Sequence, residues 1–120
     1  MMKPSTNATR TAVGQSTEML PLLRVRLSDN WIAEFDNVDT RFNDCCNWQV
    51  MNGSERVLFS TRMYQRFSDM KSGVIATVDV CEGRSSESDK RQAEAGKRLL
   101  AVLDKYPSFA ALAKHPDRLN

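Results

Sequence analysis

The chain has 120 residues, 41% of them hydrophobic and 27% charged, with a formal net charge of +2. That length suits one domain with a core large enough to fold without disulfide or metal staples, the composition excludes a disordered chain, and so small a charge selects no class of partner. No apolar run nears the ~18 residues of a spanning helix, which argues against a membrane protein, and three cysteines (Cys45, Cys46, Cys81) fit a reducing cytoplasm better than a disulfide-built secreted domain.

Residues 1–20 read as a flexible N-terminal tail. "MMKPSTNATRTAVGQSTEM" is rich in Ser, Thr and Asn and has no apolar h-region, so it is not a secretory signal. Lys3 and Arg10 are too few for a transit peptide. Asn7-Ala8-Thr9 and Asn52-Gly53-Ser54 match the glycosylation sequon, which matters only in a secreted chain.

A single α+β domain is expected over 21–115, with 116–120 as a C-terminal tail. "LLRVRLS" alternates, with Leu23, Val25 and Leu27 on one face and Arg24 and Arg26 on the other; "WIAEF" puts Trp31, Ala33 and Phe35 on one face. A three-residue loop Ser28-Asp29-Asn30 sets Leu27 against Trp31, Val25 against Ala33 and Leu23 against Phe35. A two-residue loop would put Val25 against Glu34. Asn30 suits the left-handed position of such a loop. The same register places Arg24 opposite Glu34.

Asn52-Gly53 signals a second hairpin. Pairing outward from it sets Val50 against Glu55, Trp48 against Val57 and Cys46 against Phe59. Cys46, Trp48, Val57 and Phe59 then share one face; Cys45, Asn47, Gln49, Arg56 and Leu58 share the other.

"STRMYQRFSDMKSG" changes period. Met63, Phe67 and Met70 mark a helix, capped by Ser60 or Thr61 and ended at Gly73. "VIATVDVC" reads as a fifth strand with Val74, Ala76, Val78 and Val80 on one face. Ser86-Glu87-Ser88-Asp89 has capping-box spacing. The helix it opens carries Ala93, Gly96, Leu99, Leu100, Leu103 and Tyr106 on one stripe. Small Ala93 and Gly96 would let it lie close to a sheet, and Pro107 ends it. Ser108 caps a short last helix with Phe109 and Leu112, closed by Pro116. The predicted order is ββ-ββ-α-β-α-α, with the helices packed on one sheet face.

Chemistry is scarce. Adjacent side chains of a strand point to opposite faces, so Cys45 and Cys46 cannot share a metal ion. Cys46 is expected inward beside Trp48, and Cys45 outward. No Cys-x-x-Cys occurs and the lone histidine, His115, lies in the tail region, so a structural zinc lacks ligands. Cys81, between a strand and a helix N-terminus, is a candidate thiol nucleophile, but no base lies nearby in sequence and Glu82 would repel an anion. "GRSSES" lacks the glycines and lysine of a phosphate loop and reads as a cap. Asp36, Asp39 and Asp44 lack calcium-loop spacing and read as turn residues.

Arginines remain. Arg24, Arg26 and Arg56, with Asn47 and Gln49, share the sheet face opposite Trp31 and Trp48. Arg62 and Arg66 follow, four residues apart. Lys90, Arg91, Lys97 and Arg98 lie on the polar side of the long helix, diluted by Glu87, Asp89 and Glu94. The functional expectation is a small non-enzymatic module that binds a protein partner, with Arg24, Arg26, Arg56, Arg62 and Arg66 as contact residues and no cofactor or metal. The alternative is a nucleic-acid binder using the same arginines, and a further alternative is a thiol enzyme centred on Cys81. In size and style the chain resembles small accessory proteins of phages and mobile elements, a likeness that covers no motif.

Overall fold

The structure, a computed structural model, describes residues 18–120. Most of the expected N-terminal tail therefore lies outside the described residues. Its last two residues, Met19 and Leu20, already belong to the sheet.

Strands β1 (Met19–Ser28) and β2 (Trp31–Asp39) form the first hairpin. Leu23 faces Phe35, Val25 faces Ala33 and Arg24 faces Glu34, as the alternation predicts. The tip differs. A bulge displaces Leu27, so Ser28 pairs with Trp31, and the left-handed residue is Asp29 (φ 48°) rather than Asn30. Further along, the pairs Leu23/Phe35 and Leu20/Val38 both point into the core although three residues separate them. Simple alternation forbids that. Asn37, at φ 49°, makes the switch, and asparagine tolerates this region better than most residues.

Strands β3 (Asp44–Cys45), β4 (Trp48–Asn52), β5 (Glu55–Phe59) and β6 (Gln65–Arg66) complete a curled antiparallel sheet. β2 pairs with β1 on one side and with β4 and β3 on the other; β5 lies outside β4, and β6 outside β3. The second hairpin turns at Gly53 (φ 59°), but its register is not the predicted one. Asn52 pairs with Glu55 and Met51 with Arg56; a bulge at Val57 then sets Leu58 against Val50 and Phe59 against Gln49. Two consecutive apolar residues can both reach the core only through such a bulge. Val57 and Leu58 are accordingly buried, while Phe59, expected inside, is 47% exposed.

The predicted fifth strand does not form. Helix α1 spans Phe67–Glu82, running through Gly73 and the whole of "VIATVDVC". Its buried stripe is Phe67, Met70, Val74, Val78 and Cys81, a helical spacing. The β-branched run favours a strand only weakly, and packing of this stripe overrides it. Neither Ser60 nor Thr61 caps the helix. The Phe67 N–H instead donates to the Asn43 carbonyl at 2.9 Å, and residues 60–64 form a loop with Met63 and Tyr64 exposed.

Helix α2 (Glu87–Leu103) opens as predicted, with Ser86 accepting the Asp89 N–H at 3.0 Å. It packs on the sheet through Leu99 and Leu103, and α1 packs against it. Gly96 faces α1 as well as the sheet. A methyl built there would overlap Cγ2 of Val78 and touch Val74 at 3.6 Å and Leu58 at 3.7 Å. A short helix α3 (Phe109–Leu112), capped by Ser108, inserts Phe109 edge-on between Phe35 and Phe67, with ring centroids at 5.5 and 5.0 Å.

Residues 117–120 do not trail off as a tail. The Arg26 N–H donates to the Asp117 carbonyl at 3.0 Å, the Leu119 N–H donates to the Arg24 carbonyl at 2.9 Å, and Arg118 bridges Val25. The segment covers the outer edge of β1. The helices and sheet share one apolar cluster, from Leu20 to Leu112. Among the described residues, no helix is long and apolar enough to cross a membrane.

Candidate functional site

All the helix packing falls on one face of the sheet, which leaves the other face to be read as two ladders across β1, β2, β4 and β5. The first is Arg26, Ile32, Met51 and Arg56; the second is Arg24, Glu34, Gln49 and Phe59. Every one of these residues is partly or fully exposed, whereas their strand neighbours Val25, Ala33 and Val50 are buried. Three inter-strand steps of roughly 4.8 Å separate the backbones of Arg26 and Arg56, about 14 Å in all.

The arginines differ in their partners. Arg24 donates through Nε to Glu34 at 2.9 Å, and Gln49 donates to the other Glu34 oxygen at 2.6 Å, so this charge is neutralised in place. The Arg56 guanidinium stacks over Phe59, 4.1 Å from the ring centroid. Among the described residues no ion pair involves Arg26, Arg56, Arg62 or Arg66. The four basic residues of α2 are instead matched: Lys90 with Glu87, Arg91 with Glu55, Lys97 with Glu82 and Arg98 with Glu94. Arg62 and Arg66 do not join the open face with Arg26 and Arg56. Arg62 lies in the loop after β5, and Arg66 sits on β6 at the register position opposite Asp44.

The cysteines reverse their predicted orientation. Cys45, in β3, is fully buried, and Cys46, in the link to β4, is partly exposed. β4 starts only at Trp48, so the pleat that was to turn Cys46 inward does not reach it. Burial pushes the Cys45 thiol up to about 12, with the Cys46, Asp44 and Asp36 charges adding to it. Cys46 lies beside the Tyr64 hydroxyl, whose pKa it raises by its charge and by a hydrogen bond. Cys81 sits in the last turn of α1, buried, with its thiol 3.4 Å from Gln92 Oε1. It therefore occupies the C-terminal end of a helix and not the strand-to-helix loop that suggested a nucleophile. Ellman's reagent is expected to titrate one thiol, Cys46, in the folded protein and the other two only in denaturant. Reaction of the folded Cys46→Ser variant would contradict this.

The acidic residues expected in turns lie in strands, Asp36 and Asp39 in β2 and Asp44 in β3, and only Asp39 reaches into the turn that follows. Arg41 forks onto Asp39 with Nη2 at 2.9 Å and Nε at 3.1 Å, holding that carboxyl below its usual range. Among the described residues no group of three or more His, Cys, Asp or Glu side chains could hold a metal ion.

A groove of about 680 Å³ opens between β5, the loop 60–64 and α1. Trp48, Val57 and Leu58 form its apolar side, Ser72, Gly73 and Thr77 the helical side, and Arg62, Tyr64 and Asp69 its rim. None of this was visible in the sequence, because the groove exists only once residues 74–81 are helical. Phe59 was missed for a related reason: one extra residue in β5 turns it outward. Ile32 and Met51 carried a usable signal, since both occupy the arginine side of their strands. Comparison of the chain with protein-family models, with curated proteins and with solved structures gives no match.

Proposed function

We propose that the protein is a binding module whose partner is another protein, engaged through the open sheet face. The observation that carries this reading is the ladder Arg26–Ile32–Met51–Arg56, in which two arginines without ion pairs flank two partly exposed apolar side chains. An apolar centre with an arginine rim is the composition of protein contact surfaces. Phe59, on the adjacent ladder, adds exposed aromatic area beside Arg56. Affinity capture from the native cell with wild type and with Arg26→Glu/Arg56→Glu tests it. A specific protein retained by wild type and lost by the folded double variant is expected; equal retention, or none, would refute it.

Nucleic acid is a second reading, favoured by Arg26, Arg56, Arg62 and Arg66, which make no ion pair among the described residues. Glu34 and Asp36, on the same sheet face, oppose phosphate. This reading predicts binding to single- or double-stranded probes that weakens steeply as salt rises. Salt-independent or absent binding would remove it.

A further inference from the structure

The two edges of the sheet are treated differently. Residues 117–120 close the outer edge of β1 with backbone hydrogen bonds, whereas among the described residues none leaves the outer edge of β5. The Ser60 N–H donates to the Trp48 carbonyl at 2.9 Å, and Leu58 pairs with Val50. The alternation of an antiparallel ladder therefore turns the N–H and C=O of Phe59 away from β4. Phe59 borders the groove of about 680 Å³. The opposite wall is α1, and a Cβ added at Gly73 would meet nothing within 4 Å. At the rim stand Arg62 and Asp69, one charge of each sign, and neither forms an ion pair among the described residues.

We infer that this groove binds an extended peptide segment of a partner protein, which pairs with the β5 edge at Phe59. One apolar side chain of the segment rests on Val57 and Leu58, and an acid and a base match Arg62 and Asp69. A donor and acceptor side by side on a strand edge are complemented by another strand's backbone, with side-chain pockets adding specificity. The bulge at Val57 interrupts the ladder, so pairing is confined to about three residues around Phe59. The inference rests on the protein-binding reading; the groove adjoins the arginine ladder at Phe59, over which Arg56 stacks, and lies away from Arg26.

Selection of short random peptides displayed against the full chain supplies the probe. The enriched peptide is then measured by fluorescence anisotropy against wild type, Phe59→Ala, Phe59→Pro, Gly73→Trp and the arginine variant Arg26→Glu. Proline removes the outward N–H and leaves the β4 bonds intact. Binding is expected to vanish with Gly73→Trp, to weaken about tenfold in Phe59→Pro relative to Phe59→Ala, and to stay within about twofold in the arginine variant. Should Phe59→Pro lose its fold by circular dichroism, Gly73→Trp, at an exposed helix position, decides alone. The inference is overturned if no peptide enriches or if binding survives Gly73→Trp. Loss of binding only in the arginine variant overturns the groove and leaves the protein-binding reading standing. A dimer that Gly73→Trp makes monomeric overturns it in favour of a second copy as occupant.

Discussion

Gly96→Ala is expected to destabilise the protein, while Gly73→Ala stabilises it, although both glycines sit inside helices. Alanine gains about 1 kcal/mol over glycine in a helix interior. At Gly73 nothing lies within 4 Å of the new methyl, so that gain is kept. At Gly96 the methyl overlaps Cγ2 of Val78 and also meets Val74 and Leu58. Val78 lies in the middle of α1, where a β-branched side chain holds one χ1 rotamer and cannot turn aside. The two helices must separate, and overpacking of this kind costs typically 1–3 kcal/mol. The net loss for alanine is about 1 kcal/mol by urea denaturation, and Gly96→Val should lose about 3 kcal/mol or more. A double variant, Gly96→Ala/Val78→Ala, should be more stable than the sum of its singles by about 1 kcal/mol, because the added methyl fills the space that Val78 vacates. Additivity would mean that the contact is looser than the geometry shows.

Phe109→Ala should have the largest effect of any single truncation considered. Its ring is fully buried in a four-residue helix and meets Phe35 and Phe67 edge-on, so it joins the sheet, the start of α1 and α3 at one point. Truncation of such a ring costs about 3–5 kcal/mol, a large part of the roughly 5–15 kcal/mol that holds a domain together. Asn43 secures the same junction: its Oδ1 accepts the Phe109 N–H at 2.8 Å, its carbonyl accepts the Phe67 N–H at 2.9 Å, and its φ is 55°. Asn43→Ala combines a left-handed penalty with a lost acceptor and should cost about 2 kcal/mol; Asn43→Gly, free of the first term, should cost about half that. Tryptophan fluorescence during denaturation reports on both series, since Trp31 and Trp48 lie in the shared core. A Phe109→Ala midpoint close to wild type would show that the junction is not central to the fold.

Local signals were legible wherever one residue type decides geometry. The Leu23/Phe35 and Val25/Ala33 pairs followed from alternation, and the start of α2 from Ser86 and Asp89. The side of the sheet that holds Arg24, Arg26 and Arg56 was readable for the same reason. The span 74–81 misled, because "VIATVDV" satisfies a period of two and, with Phe67 and Met70 included, a helical stripe equally well. Cys45 and Cys46 were misassigned because the alternation of β4 was carried back past Trp48, where the strand begins, and a shift of one residue turns a side chain to the other face.

The sequence by itself determined the α+β class, the first hairpin, the two later helices and the arginine-bearing side of the sheet, since periodicity, capping and turn chemistry act over a few neighbouring residues. Tertiary structure alone decided that 74–81 is helical, that Phe59 faces out, that residues 117–120 close the edge of β1 and that a groove flanks β5. Each of these depends on contacts between residues distant in the chain: Val78 against Gly96, the Val57 bulge against β4, and Asp117 against Arg26. Local propensities differ by only about 1 kcal/mol, and the burial of a shared core is large enough to override them.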